Sequence, residues 1–291
     1  MQIRGTTRLL GILGNPVSHS LSPAMHNFAL EHMGLDAVYI PLPIESSSLQ
    51  NGLRSLKDLK FLGVNVTMPH KQAVLPCLDE ISELSQLIGA VNTITFHQGK
   101  SFGTTTDPQG FLAGFQEAGF SFTGKSVAIF GNGGSARTLV FALLHQASPL
   151  KVTLVAREPL KSQALQEEIA TKLGQNLAVL AFDEYPQWKS NFEILVHATP
   201  TGMAPHIEKS LIPPEWLEPG QIVYDIVYNP EETALLRQAR IRGCQTVGGL
   251  GMLVHQGLAS FQLWTGLNPD PALFYQGIRN AQRTSTSQKP L

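Results

Sequence analysis

The chain has 291 residues, 43% of them hydrophobic and 15% charged, with a formal net charge of -1 at pH 7. That length suits two domains better than one, and the near-neutral charge argues against a broad nucleic-acid or anionic-membrane surface. No apolar run approaches the length of a bilayer span. Cys77 and Cys244 fall in no C-x-x-C or zinc spacing, which points to a reducing, cytoplasmic setting and not to a disulfide framework.

In chain order, the apolar run 9–13 reads as a strand. It is too short for a signal segment and ends at the turn Gly14-Asn15-Pro16. Ser22-Pro23 opens a helix, with Ser22 as its cap and Pro23 at the first helical position. A strand at 37–40, a helix over 46–59 and a strand at 62–66 follow, and the last breaks into Thr67-Met68-Pro69-His70-Lys71. Residues 91–96 and 101–104 flank His97-Gln98-Gly99-Lys100 as a hairpin. A helix over 110–118 leads into the polar link 119–125.

From Val127 the alternation restarts. Strands near 152–155, 177–181, 194–197 and 222–227 alternate with helices over 135–145, 160–173 and 233–241. Strand-helix alternation implies parallel strands with helical crossovers, hence a doubly wound sheet. A long helix after Gly251 and one more past Asn268-Pro269 close the pattern, with a frayed tail from Ser285. The chain is thus expected to be two-domain α/β. Residues 1–109, completed by helices in 251–291, are expected to form one domain, and 110–250 a Rossmann-like dinucleotide-binding domain.

The clearest chemical signal is Gly131-Asn132-Gly133-Gly134-Ser135-Ala136, between a short apolar strand and a helix. Read as G-x-G-x-x-A, its three small residues allow a tight turn, close approach to a pyrophosphate and helix-on-strand packing. The helix N-terminus offers unpaired N–H groups to the phosphates. At the end of the next strand, where an acid reads NAD ribose and an Arg accommodates the extra phosphate of NADP, stand Ala156-Arg157-Glu158, with Lys161 beyond. Arg157 favours NADP, whereas Glu158 repels a phosphate or leans toward a ribose hydroxyl.

In the first half, Ser20 and Ser22 lie at the end of the first strand, the edge where open α/β sheets bind ligands. Hydroxyls beside a helix N-terminus suit a carboxylate, although Ser22 taken alone reads first as a helix cap. Asn65, Thr67 and Lys71 are delivered to the same end of a neighbouring strand. Gly248-Gly249-Leu250-Gly251 is too glycine-dense for ordinary helix and suggests backbone approaching a ligand. None of the nine histidines forms an H-E-x-x-H or similar cluster, so no metal is expected.

Taken together, SHSLSP, GVNVTMPHK, GAVNTI, GNGGSA, ATPTGM, DIVYNPEETALL and GLGMLVHQG occur in the order found in shikimate dehydrogenases, and the chain resembles that family over nearly its whole length. The resemblance implies reversible reduction of 3-dehydroshikimate to shikimate with NADPH, in aromatic amino-acid (chorismate) biosynthesis. It implies Lys71 and Asp107 as the catalytic pair, Ser20 and Ser22 on the substrate carboxylate with Tyr228 near it, and Thr67, Asn92 and Gln256 on the ring hydroxyls. Around the cofactor it implies the turn Gly131–Ala136 together with Ala156, Arg157, Lys161, Thr199, Ile226, Gly249, Gly251 and Met252. Small-molecule partners only are expected, with no nucleic acid and no membrane, and a homodimer left open.

The chemistry fits those residues. Hydride delivery to a ketone leaves a developing alkoxide that needs a proton donor or fixed positive charge. Lys71 supplies either, and Asp107 would orient its ammonium. In the reverse direction Lys71 must accept a proton, and burial opposes its charged form while Asp107 favours it. The chain departs from the family at Thr105, Ala156 and His197, each usually Asn, and at Pro108, commonly Gly. His197 reads as a satisfied strand-end histidine. Rival readings are an NAD-using quinate/shikimate dehydrogenase and a non-catalytic nucleotide-binding regulator, which would lack Lys71 or Asp107. A methyltransferase would leave the first hundred residues without a role.

Overall fold

A computed structural model describes residues 2–285. The tail expected from Ser285 lies, past that residue, outside the described residues. The described residues divide into two compact units, one made of 2–107 with 254–285, the other of Pro108–Leu253.

In the first unit, strands β1 (Arg8–Gly14), β2 (Ala37–Pro43), β3 (Gly63–Val66), β4 (Glu80–Ile81), β5 (Thr93–His97) and β6 (Lys100–Thr104) form a sheet in the order β2-β1-β3-β5-β6-β4. β2, β1 and β3 are mutually parallel and β5 turns antiparallel to β3, so the sheet is mixed. Pro41 and Pro43 are tolerated because β2 is an edge strand, where a missing N–H costs no ladder bond. The hairpin β5–β6 turns at Gln98-Gly99, both at positive φ.

Helices α1 (Ser22–His32), α2 (Leu49–Asp58), α3 (His70–Ala73) and α4 (Glu83–Ile88) connect these strands. α2 buries Leu49, Leu53 and Leu56, an i, i+4, i+7 stripe, onto a core that includes Val64, Val66, Val91 and Ile94. Burying each such side chain contributes roughly 1.5–3 kcal/mol. One expectation changes at α1. Ser22 is its first helical residue; the cap position belongs to Leu21 and makes no side-chain cap bond. The Ser22 hydroxyl is therefore not committed to the helix end.

In the second unit, β7 (Ser126–Phe130), β8 (Lys151–Ala156), β9 (Ala178–Ala181), β10 (Ile194–His197), β11 (Ile222–Asp225) and β12 (Gln245–Val247) run in the order β12-β11-β10-β7-β8-β9. Every pairing is parallel. This is the doubly wound dinucleotide-binding order, with the topological switch between β7 and β10. β7 and β10 are almost wholly buried, as a parallel sheet covered on both faces requires.

Helices α5 (Asp107–Glu117), α6 (Gly134–Ala142), α7 (Gln163–Leu173), α8 (Tyr185–Trp188) and α9 (Ala234–Ile241) follow in chain order. α10 (Leu250–Thr265) and α11 (Pro271–Ser285) close the chain. α5 starts at Asp107 and not at 110, because Pro108 sits in the first turn, where its missing N–H has no intrahelical partner to lose. α10 likewise begins at Leu250, so Gly251 is helical after all. The glycines there serve close backbone packing. A Cβ on Gly249 would stand 2.2 Å from the Ile226 carbonyl, and one on Gly251 3.2 Å from the Gly114 Cα.

Candidate active site

Lys71 lies on the short helix α3, whose entry is held by His70 Nε2 2.7 Å from the Ile44 carbonyl. Its own carbonyl accepts from Val91 N–H at 2.8 Å, which seats Lys71 beside the start of β5. Lys71 Nζ donates to Asp107 Oδ2 at 2.5 Å. Asp107 is the first residue of α5, where a carboxylate is favoured by the unpaired N–H groups of a helix start. Two charges half-withdrawn from water, at 32% and 13% side-chain exposure, form a stronger pair than two surface side chains would.

Asn92 organises the other side of this pair. Its Nδ2 lies 2.8 Å from Asp107 Oδ1, 2.9 Å from Thr106 Oγ1 and 3.3 Å from Gln256 Oε1. Two hydrogens cannot serve three acceptors equally, so the longest contact, to Gln256, is the weakest. Asn92 Oδ1 in turn accepts from the Thr106 N–H at 2.8 Å. The amide is thus oriented at both ends, and it fixes the Asp107 oxygen that Lys71 does not use. Lys71, Asn92, Asp107 and Gln256 are brought together in one unit.

Behind them runs a buried polar layer that sequence reading did not assemble. Asn65 Nδ2 donates to Ser260 Oγ at 2.9 Å and Tyr39 donates to Asn65 Oδ1 at 2.8 Å. The hydroxyls of Thr93 and Ser260 are 2.8 Å apart, and Ser260 also donates to the Gln256 carbonyl at 3.0 Å. Burial pushes the Tyr39 phenol far above its usual range, opposed by a hydrogen bond from Ser22. Ser260 stands four residues after Gln256, hence on the same face of α10; that spacing was the available signal.

Ser20 and Ser22 are joined by the Ser22 N–H donating to Ser20 Oγ at 3.2 Å. Thr67 packs against the end of β1 because Gly14 has no side chain: a Cβ there would be 2.4 Å from Thr67 Cγ2. Asn15 N–H donating to the Met68 carbonyl at 3.1 Å ties the two loops together. The loops that follow β1 and β3 thus meet at the carboxyl ends of those strands, Thr67 in one and Ser20 and Ser22 farther along the other.

In the other unit, Gly131 follows β7 with φ of 126°, a backbone conformation that favours glycine, and a Cβ there would lie 3.0 Å from the Ala198 carbonyl. Gly133 and Gly134 differ: a Cβ on either would meet nothing within 4 Å. Their bareness leaves open space at the N-terminus of α6, a cradle that fits a pyrophosphate. Ala136 is fully buried against the sheet, the close helix-to-strand contact that the third small residue permits. Ala156 is buried at the end of β8, and Arg157, Glu158 and Lys161 are exposed beyond it.

His197 and Thr199 stand at the end of β10 beside this turn. The His197 Nδ1–H donates to Asp225 Oδ1 at 2.9 Å, and Nε2 lies 2.5 Å from the Thr199 hydroxyl. Asp225 also accepts from Thr233 at 2.6 Å and from Val227 N–H at 3.0 Å. Both ring nitrogens of this buried histidine are satisfied. Burial raises the phenol of Tyr228 above its usual value. Among the described residues no group of three His, Cys, Asp or Glu side chains is placed to hold a metal ion, and no helix is long and apolar enough to cross a membrane.

A lysine oriented by a carboxylate handles a proton at an oxygen, which becomes redox chemistry once a hydride carrier is supplied. The switch-point turn of the other unit suits such a carrier, so fold and site define the dinucleotide-dependent oxidoreductases. The chain matches the model of the shikimate dehydrogenase substrate-binding domain over residues 12–94 and that of the shikimate 5'-dehydrogenase C-terminal domain over 249–279. A shikimate dehydrogenase (NADP(+)) of Salinibacter ruber is 40% identical across 96% of this chain and 99% of its own.

Among solved structures, a shikimate dehydrogenase in complex with NADP+ superposes with a TM-score of 0.91 at 35% identity, covering 96% of this chain and 97% of its own. That of Thermus thermophilus, in complex with NADP(H) and shikimate, gives 0.84 at 36% identity, covering 94% and 99%. The quinate dehydrogenase of Corynebacterium glutamicum, in complex with NAD, gives 0.86 at 33%, also covering 94% and 99%. The chain belongs to the shikimate dehydrogenase family.

Proposed function

We infer that the protein catalyses the reversible NADPH-dependent reduction of 3-dehydroshikimate to shikimate, a step of aromatic amino-acid biosynthesis. The observation that carries this reading is the 2.5 Å bond between Lys71 and Asp107, with Asn92 and Gln256 at its side, in a chain similar to shikimate dehydrogenases over 96% of its length. A non-catalytic member of the fold would have no use for that pair.

NADPH, when bound, supplies a hydride to the ketone carbon. Gly131, Asn132, Gly133, Gly134, Ser135 and Ala136 would hold its pyrophosphate, Arg157 and Lys161 its adenosine phosphate, and Thr199, Ile226, Gly249 and Met252 its remaining length beside Ala156. Lys71 gives a proton to the oxygen that gains charge, and in the reverse direction takes it back from the hydroxyl. Asp107 holds the Lys71 ammonium and, with Asn92, Thr67 and Gln256, receives the ring hydroxyls. Ser20 and Ser22, with Tyr228, meet the carboxylate; a hydroxyl left over from helix capping supports that role for Ser22.

The net charge of -1 and two free cysteines support an enzyme of the reducing cytoplasm that acts on small molecules without nucleic acid. A homodimer is the assembly to test by sedimentation. Initial-rate oxidation of shikimate and of quinate, each with NADP and with NAD, tests the reading in one experiment. Shikimate with NADP is expected to be the fastest pair; a preference for quinate would overturn the substrate assignment.

A further inference from the structure

The edge of β8 holds an arrangement that the reaction above does not explain. Val155 pairs with Phe130 across the sheet, and Gly131 N–H donates to the Val155 carbonyl at 3.0 Å. Residues following Ala156 therefore emerge beside the phosphate turn, where a bound dinucleotide places its adenosine ribose. Three charges stand there, those of Arg157, Glu158 and Lys161. Arg157 makes no ion pair among the described residues. Lys161, by contrast, donates to Glu158 Oε1 at 2.8 Å.

That pair is set up by the backbone. Pro159 opens a short helical turn, Pro159–Ser162, directly after Glu158, and Lys161 N–H donates to the Glu158 carbonyl at 3.1 Å. Carboxylate and ammonium are thus placed on one turn, three residues apart. A phosphate monoester carries roughly 1.5–2 negative charges at neutral pH, so a 2'-phosphate competes with Glu158 for Lys161 and is repelled by it. Ribose hydroxyls face no such competition, and a carboxylate accepts from them.

We propose that Glu158 is a specificity-determining residue: it withdraws Lys161 from the 2'-phosphate, offers its own carboxylate to ribose hydroxyls, and so lets the enzyme use NAD alongside NADP. Arg157 then carries most of the preference for NADP, and Lys161 reaches the phosphate only by leaving Glu158. Oxidation of shikimate with NAD has the same balance as with NADP: a hydride leaves the carbon for the nicotinamide and the hydroxyl proton passes to Lys71. The proposal rests on the dehydrogenase reading above, but concerns only how the adenosine end is chosen.

The test compares the full chain with Glu158→Gln, Lys161→Gln and the double variant. Two readouts are used: calorimetric binding of 2',5'-ADP against 5'-AMP, and kcat/KM for shikimate oxidation with NADP against NAD. Glu158→Gln is expected to raise both the 2',5'-ADP preference and the NADP preference about tenfold; the share that Lys161 contributes is lost in the double variant, and the gain shrinks in 0.5 M salt, because pairs this exposed are screened. A change of less than twofold in the binding preference overturns the proposal. A protein that binds the two nucleotides with the expected difference but oxidises shikimate with neither cofactor would overturn the functional reading and leave this one standing.

Discussion

Lys71 Nζ and Asp107 Oδ2 lie 2.5 Å apart, and the second oxygen of that carboxylate accepts from Asn92 at 2.8 Å. The ammonium is therefore aimed by a carboxylate that is itself held. Lys71→Ala removes the proton carrier and is expected to lower kcat by about 10²–10⁴, the usual worth of a positioned acid-base group. The KM for shikimate should stay within severalfold, since the serines and ring-hydroxyl contacts remain. Steady-state kinetics with NADP check this, and an active Lys71→Ala variant would refute the role.

Asn92 is 2% exposed and bonded at both ends of its amide. Asn92→Ala strands an oxygen of Asp107 and the N–H of Thr106 in a buried setting. Leaving such groups unsatisfied costs roughly 1–3 kcal/mol. Urea unfolding is expected to show a loss in that range, with a raised KM for shikimate. Unchanged stability would mean that the layer repacks around the gap.

His197 donates to a carboxylate that is wholly buried. His197→Ala leaves Asp225 with the Thr233 and Val227 donors only, and a destabilisation of about 3 kcal/mol is expected. His197→Asn returns one N–H donor and should recover much of that loss. Denaturant midpoints of the two variants decide it; equal midpoints would show that the bond to Asp225 contributes little.

His26 supplies a pH prediction. It is enclosed by Tyr39, Phe261, Trp264 and Phe274, and neither ring nitrogen has a hydrogen-bond partner among the described residues. Burial lowers its pKa from 6.5 to about 3. Between those values the unfolded chain binds the proton and the folded one does not, so stability is full above about pH 6.5 and declines as pH falls toward 3. The slope from this group is at most about 1.4 kcal/mol per pH unit. His26→Phe is expected to flatten the decline between pH 6.5 and 4 in urea titrations; identical slopes would assign the acid sensitivity elsewhere.

Local signals were the legible part. The glycine turn after β7, the leucine stripe of α2, the β5–β6 hairpin and the parallel alternation of the second unit all depend on neighbours within a few turns of chain, and the structure shows each of them. Helix ends were less legible. Ser22 resembles a cap, yet the backbone enters the helix one residue earlier, and Gly251 resembles a loop residue, yet it lies within α10 against Gly114. At Gly251 a tertiary contact overrides the local preference.

By itself the sequence determined the fold class, the phosphate turn and, through seven collinear motifs, the family. Only the tertiary structure decided which polar residues meet. Lys71 and Asp107 are 36 positions apart, Asn92 and Gln256 164, and Asn65 and Ser260 195. No periodicity encodes such pairs; the strand order β1-β3-β5 and the return of α10 to the first unit bring them together. The same holds at Glu158, whose charge was plain in the sequence as a counter-signal. Its partner was not, because only the turn after Pro159 sets Lys161 against it.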